Sequence, residues 1–378
     1  MFRRCVLLIL LGIQLVMLAG CWDYRDVNRI DFPLAAAYDL HEVGLRALRD
    51  EANQEQLIDL AVILPNLAQN ATLKFRIEKT TGVTVGNARG QKPYTSTGTY
   101  SPGATGIIIV GEDLAGTGLN NIFQALFRGA LSPSIQNFAI SEGRGDGILE
   151  APVEDYLSMA DYLKGILQKS ERRGFIPATT LHNFEVWQGP GKNPIMPLIK
   201  QKNKKAEVTG TAIFKKDRMI GKANLTETRS LMLLRGIKAT GNVAFTIKRN
   251  GIILDRGSVD ASNKRKVKVE RNGDDINFLI IVMLEGNLIE HQFGKLFTEN
   301  ENLQQMIESQ IASDVKKDCY KFISKMQQEY RIDCIDISKY AVARWGKELE
   351  DKVDQEFIEN VNIEVEVKMK LKNTGELT

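Results

Sequence analysis

Gly106-Ile107-Ile108-Ile109-Val110 is a short apolar run, and Leu119, Ile122, Phe123, Leu126, Phe127, Ala130 and Leu131 follow it at helical spacing. Pro133 stops that helix, and residues 135–140 read as the next strand. Strand, helix and strand over this distance predict a parallel pair joined by a right-handed crossover. A second helix is expected next, with Val153, Tyr156, Leu157, Ala160, Leu163 and Leu167 on one face. Upstream, residues 30–38 read as one apolar strand and residues 56–64 as another, stopped by Pro65. Between Gly82 and Gly106 the chain is rich in Gly, Thr, Ser and Pro, and reads as loop with a frayed edge strand at most.

Downstream the pattern changes. Lys200-Gln201-Lys202-Asn203-Lys204-Lys205 is polar throughout and reads as a linker. Residues 207–214 and 218–223 flank Lys215-Lys216-Asp217 as a hairpin, and residues 225–234 form a short helix ending at Gly236. Strands are expected at 243–247, 252–255, 267–269 and 276–284. A long helix over about residues 302–330 sets Leu303, Ile307, Ile311, Val315, Cys319, Phe322, Met326 and Tyr330 on one face, and a shorter helix covers 337–349. In the last strand Val361, Ile363, Val365, Val367, Met369 and Leu371 alternate with Asn362, Glu364, Glu366, Lys368 and Lys370. A period of two puts one face on a core and the other in water. The whole reads as an α+β, multi-domain fold of mixed sheets with flanking helices. After a signal segment at 1–20 come an N-terminal α/β-containing domain at 21–199 and a small middle hairpin–helix domain at 206–236. A C-terminal α+β domain at 237–378 holds the long helix and the terminal strand.

The N-terminus carries an address. Arg3 and Arg4 precede an apolar stretch from Cys5 to Leu18 that is too short to span a bilayer and fits a secretory signal peptide. Leu18-Ala19-Gly20-Cys21 follows: a bulky residue, two small ones that admit a signal peptidase, and a thiol that can take a diacylglycerol as a thioether. An ordinary signal peptide before a structural cysteine is the plainer alternative, but length, flanks and cleavage motif agree on a lipoprotein anchored at Cys21. Such a protein sits on the outer face of a membrane. Trp22 beside the lipid suits the headgroup interface, or packs on the first domain or a partner.

Cleavage leaves 358 residues and lowers the formal charge from +3 to +1, too little to steer a polyanion, which argues against a nucleic-acid partner. With 43% hydrophobic and 26% charged residues the chain can bury a real core. Only Cys319 and Cys334 remain in the body; a bond between them is permitted outside the cytosol, while the helical face around Cys319 suits a buried free thiol.

Catalytic patterns are thin. Gly111-Glu112-Asp113-Leu114-Ala115-Gly116 has the glycine spacing of a phosphate loop, but Thr117-Gly118 stand where lysine and a hydroxyl residue are needed, and two acids would repel phosphate. It reads as a strand-to-helix turn. Gly143, Gly145 and Gly147 form another glycine-rich loop without a phosphate pattern. His41, His182 and His291 lie far apart with no metal spacing, and there is no Gly-x-Ser-x-Gly elbow. No catalytic, metal or cofactor residue is assigned. The basic runs 200–205 and 264–268 read as solvated turns, with contact to anionic headgroups as a weaker alternative, and Trp187 and Trp345 as core or rim.

Cys21-Trp22-Asp23 after the cleavage motif, with Asn28 close behind, resembles the start of the spore-germination C-subunit lipoproteins, the Ger(x)C family. Residues 107–115 are similar to a strand-to-helix segment of that family, and residues 210–221 to the hairpin that opens its C-terminal region, with Glu227 and Leu233-Leu234 continuing the likeness. The chain departs from it in Asp26-Val27, where Glu-Leu is usual, and in residues 333–337, which lack an expected glycine. The resemblance implies a non-enzymatic subunit of a nutrient germinant receptor in the inner membrane of bacterial spores. It would act beside polytopic A and B subunits in a complex that responds to small nutrients, with an α+β fold in three domains. The competing class is a free-standing solute-binding lipoprotein that delivers a ligand to a transporter. That class has two similar α/β lobes, whereas only one strand–helix–strand unit is found here; a hydrolase is a distant third. Purified residues 22–378 are expected to bind no nucleotide, and tight ATP binding in calorimetry would overturn the reading of residues 111–116.

Overall fold

The run from Ile107 to Val110 has no polar face, and a strand of that kind needs cover on both sides. The computed structural model supplies it. The structure describes Arg3 and residues 30–41, 57–66, 74–91, 98–128, 135–152, 156, 158–186, 189–203, 205–239, 241–292, 301–355 and 357–373. In chain order the first part comprises β1 (Ile30–Asp31), β2 (Ala35–Leu40), β3 (Ile58–Pro65), β4 (Phe75–Gly82), α1 (Val85–Gly90), β5 (Thr99–Tyr100), β6 (Ile107–Gly111), α2 (Glu112–Thr117), α3 (Asn120–Arg128) and β7 (Asn137–Ser141). It continues with α4 (Asp146–Glu150), α5 (Met159–Arg172), α6 (Leu181–Val186), β8 (Ile195–Lys202), β9 (Lys205–Lys215), β10 (Arg218–Asn224) and α7 (Leu225–Arg235).

Eight of these strands form one sheet in the order β10-β9-β8-β7-β6-β2-β3-β4. The central β2, β6, β7 and β8 are parallel, as the crossover reading requires, and antiparallel hairpins extend both sides. On one face Ile108, Val110, Phe138 and Ile140 meet Leu119, Ile122 and Phe123 of the α2–α3 crossover and Phe184 of α6. Phe123 and Phe184 stack with centroids 3.9 Å apart. On the other face Ile107, Ile109 and Ala139 meet Ile148 of α4 and Leu163 and Leu167 of α5.

Several local expectations shift. Helix α5 begins only at Met159, because Ser158 accepts a hydrogen bond from the Asp161 N–H and caps it there. Ala160, Leu163 and Leu167 are buried, whereas Tyr156 lies before the helix and is 49% exposed; Val153 and Leu157 fall outside the described residues. The stretch from 82 to 106 holds a six-residue helix, α1, capped by Thr84, and two apolar residues are too few to give it a visible period. The polar run 200–205 is not a linker. Lys202 pairs with Lys205 across a two-residue turn that holds Asn203 at φ 49°, so β8 and β9 are one hairpin. The hairpin of the expected middle domain at 206–236 therefore shares a sheet with the residues before 200, and its helix packs into the core beneath the second sheet.

The second part comprises β11 (Gly241–Arg249), β12 (Ile252–Asn272), β13 (Asp275–His291), α8 (Glu301–Lys325), α9 (Ser338–Trp345), α10 (Lys347–Glu350), α11 (Phe357–Asn360) and β14 (Asn362–Asn373). Its sheet runs β11-β12-β13-β14, antiparallel except for the parallel β13–β14 pair. Two short strands were expected where β12 runs unbroken for 21 residues. Its polar middle stays extended because β11 and β13 take up its backbone on both sides. Helix α8 lies on the core face with Ile307, Ile311, Cys319 and Phe322 buried, and its last turn, Met326–Tyr330, widens to a π-helix that Arg331 ends at φ 54°. Cys319 and Cys334 are both buried and both free thiols. Gly346, at φ 65°, splits the helix expected over 337–349 into α9 and α10. No helix among the described residues is long and apolar enough to cross a membrane.

In β14 the alternation holds, with Val361, Ile363, Val365, Met369 and Leu371 buried and Val367 packed at the margin. Val365 is 2% exposed, so Val365→Asp puts a carboxylate into the core and is expected to cost about 3 kcal/mol or more. Glu366→Lys, on the opposite face, should leave thermal unfolding nearly unchanged. Equal losses in the two variants would mean that β14 is buried on both sides.

Candidate functional site

Two aspartates stand inside otherwise apolar strands: Asp39 in Ala-Ala-Ala-Tyr-Asp-Leu and Asp59 in Ile-Asp-Leu-Ala-Val-Ile-Leu. They are direct cross-strand partners. Like charges placed so are unstable without compensation. The loop after β7 provides it. Arg144 Nη2 donates to Asp59 Oδ2 and to Asp146 Oδ2, each at 2.9 Å, its Nε donates to Asp146 Oδ1 at 3.0 Å, and its Nη1 to the Leu40 carbonyl at 3.1 Å. Asp39 accepts from the N–H of Gly145 at 2.7 Å and of Asp146 at 2.9 Å. Thr81 and His41 reach Asp59 at 2.7 and 2.8 Å, and Lys79 reaches Asp146 at 2.9 Å.

This knot lies at the carboxyl ends of β2, β6 and β7, where the chain turns one way after β2 and the other way after β6, the usual place for a ligand in an open α/β sheet. A cleft of about 220 Å³ opens beside it, and another of about 450 Å³ lies between residues 83–86, 114–118 and 121–128. The knot's charges, however, are spent on one another. Burial pushes Asp39 up to about 6, against its backbone donors and Arg144. Burial also works on Asp146 and Asp59, but Arg144 with Lys79 holds Asp146 down at about 2, and Thr81, Arg144 and His41 keep Asp59 below its ordinary value. The arrangement clamps three loops.

Gly111, which opens the stretch spaced like a phosphate loop, is glycine for this reason: a Cβ there would stand 2.2 Å from Asp39 Oδ1. Glu112 donates its N–H to the Gly143 carbonyl at 3.2 Å and binds Lys222 Nζ through its carboxylate at 2.7 Å. The stretch is a strand-to-helix junction. The signal for the knot was available in the sequence, as lone acids in apolar strands, but its cation comes from more than eighty residues away.

A second polar cluster joins the two sheets. Arg235, at the end of α7, is 6% exposed and donates through Nη1 to the carbonyls of Asn193 at 3.0 Å and Cys334 at 2.8 Å. Asp333, also buried, accepts from the N–H of Ile335, Ile337 and Ser338 and so fixes the turn into α9. Asn193 donates to the Asp333 carbonyl and accepts from the Lys216 N–H, each at 3.1 Å.

Leu18, Ala19, Gly20 and Cys21, expected from the sequence to carry the anchor, lie outside the described residues, as do Trp22 and Trp187. Trp345 packs at the rim of the second core under Arg344. The histidines are not brought together: His41 faces Asp59, His291 faces Asp255 at 3.3 Å, and His182 sits on α6. Among the described residues no three His, Cys, Asp or Glu side chains are placed to hold a metal.

Two family models match the chain in tandem: spore germination protein N-terminal domain over residues 23–201, and spore germination B3/GerAC like, C-terminal, over residues 209–375. The chain belongs to the Ger(x)C family of spore germination proteins. It is similar to YfkR of Bacillus subtilis (strain 168), named for spore germination, with 23% identity over 86% of this chain and 84% of that one. It is also similar to the spore germination protein GerQC of Bacillus cereus, with 24% identity over 65% of this chain and 64% of that one. The crystal structure of the GerBC protein matches its fold with a TM-score of 0.56 and 15% identity, over 86% of this chain and 96% of that one. The boundary between the two Ger(x)C models falls within the β8–β9 hairpin, inside a continuous sheet.

The knot yields a prediction with a definite sign. Asp146, held at about 2 against an ordinary 3.8, contributes stability that is full above about pH 4 and lost as pH falls toward 2. Asp39, raised to about 6, works oppositely, and stability rises as pH falls through 6 and the folded state takes up its proton. Arg144→Ala should cost about 2 kcal/mol or more at neutral pH and start the acid-side loss at higher pH. Denaturant unfolding across the acid range measures both, and an unchanged acid limb would mean that Lys79 alone holds Asp146.

Proposed function

We propose that this chain is the lipid-anchored C subunit of a nutrient germinant receptor of bacterial spores, acting without catalysis beside polytopic A and B subunits. The observation that carries the reading is the pair of family matches, in order, directly behind a lipoprotein cleavage motif at Leu18-Ala19-Gly20-Cys21. Diacylglycerol on Cys21 would hold the body on the outer face of the spore inner membrane, where the partner subunits reside. The fold argues in the same direction. A solute-binding lipoprotein has two similar α/β lobes, and here the mostly antiparallel four-stranded sheet is no repeat of the mixed eight-stranded one. The role of a nutrient belongs to the assembled receptor.

Cys21→Ala tests the anchor. Each buried acyl CH₂ is worth about 0.8 kcal/mol, so two long chains anchor firmly where weak surface contacts would not. The variant is expected to accumulate uncut precursor or to leave the membrane fraction, and spores carrying it should respond more weakly to the receptor's nutrient. A cleaved variant that stays fully membrane-bound and germinates normally would remove the lipid from the account. Failure of the wild type to co-purify with polytopic membrane proteins would remove the receptor.

A further inference from the structure

The sequence of β13 reads Ile276-Asn277-Phe278-Leu279-Ile280-Ile281-Val282-Met283-Leu284, apolar on both faces through its middle. Phe278, Ile280 and Val282 enter the core. Leu279, Ile281 and Met283 face the other way and stay only partly buried. The flanking strands do not share this habit: β12 presents Lys264, Lys266 and Lys268 outward, and β14 presents Glu364, Glu366 and Lys368. A strand apolar on both sides between two that are polar on one side is the pattern of a sheet with a second, covered face.

The register orders the charges. Leu279 stands between Lys268 and Glu364, and Ile281 between Lys266 and Glu366. Lysine, apolar residue, glutamate: in these two rows the face is antisymmetric about its own apolar stripe. We propose that this face binds the same face of a second copy of the chain, about a two-fold axis running along β13. That rotation lays β12 of one copy over β14 of the other. It sets Lys268 against Glu364 of the second copy, Lys266 against Glu366 of the second copy, and Ile281 against its equivalent. Such an isologous contact closes on itself and makes a dimer.

The internal pairing leaves these charges available. Among the described residues Lys264, Lys266 and Lys268 form no ion pair, Lys264 acting on Glu285 only at longer range, and Glu366 pairs with its exposed neighbour Lys368 at 3.1 Å. The row on the other side of Ile281 brings Lys264 toward Lys368 of the second copy, a like-charge contact that the two lysine–glutamate rows outweigh and that Glu366, beside Lys368, softens. An anionic bilayer fits less well, because Glu364 and Glu366 line the stripe and the lysine and glutamate stems leave it flush with the surface. The contact rows span three strands, β12, β13 and β14, and so small a face suits a weak, concentration-dependent dimer.

Sedimentation of the full chain over a concentration series, with thermal unfolding as a check on folding, tests this. The wild type should dimerise. Lys266→Glu and Glu366→Lys should each weaken association about tenfold or more, since each sets like charges together twice across the axis. An equimolar mixture of the two variants should associate about as tightly as the wild type, because every swapped residue then meets its opposite. Within one molecule the two residues flank Ile281 on different strands, so internal repair cannot mimic this result. A wild type that stays monomeric to about 100 μM, whether or not it binds some other polypeptide, overturns the proposal. So does a mixture no tighter than either variant alone.

Discussion

One buried guanidinium holds the two sheets in register. Arg235 ends the helix that leaves the large sheet, and its hydrogen bonds go to Asn193, two residues before β8, and to the turn just before α9. A cation placed there is tolerable only while its acceptors are in place, because an unmatched charge in such a site costs several kcal/mol. Position is therefore enforced from both sides. Asn193 ties the same turn to the β9–β10 hairpin, and Asp333 fixes the turn's own backbone. With that joint made, Ile195, Ile213 and Ala223 of the large sheet share one core with α7, α8 and the four-stranded sheet.

What could be read from the sequence was what local periodicity records. The alternation of β14, the buried face of α8 and the apolar run of β6 each carry their signal within a dozen or two residues, and the structure keeps them. What escaped was decided by neighbours. The middle of β12 has no period of its own and is a strand because two others flank it. Residues 200–205 look like a linker because an exposed hairpin tip and a linker are polar for the same reason. The knot at Asp39 needed Arg144, whose place opposite Asp59 follows only from the order of the strands. The expected anchor motif at Leu18–Cys21 is the reverse case, a reading that rests on sequence alone.

The two polar clusters also say where recognition in this Ger(x)C chain is to be sought. In each, the carboxylates and guanidinium groups find partners within the chain, so their chemistry is spent on holding loops and joining sheets. The proposed role, a subunit working through contacts with other proteins, would need firm surfaces more than reactive groups. The half-covered face of β13 and the groove of about 330 Å³ beside Phe175, Leu225 and β11 are features of that kind.

The parallel pairing of β13 with β14 has a consequence in time. Parallel neighbours cannot be joined by a tight turn, and here the connection passes through α8, α9, α10 and α11 before the chain returns at Asn362. The strand that seals one side of the second core is thus synthesised well after the strand it pairs with. Contacts between partners so far apart along the chain form slowly. Until residues 362–373 arrive, the flank of β13 is an open edge, and a chain stopped before them would keep it so. Completion of this half of the molecule therefore waits on residues 362–373.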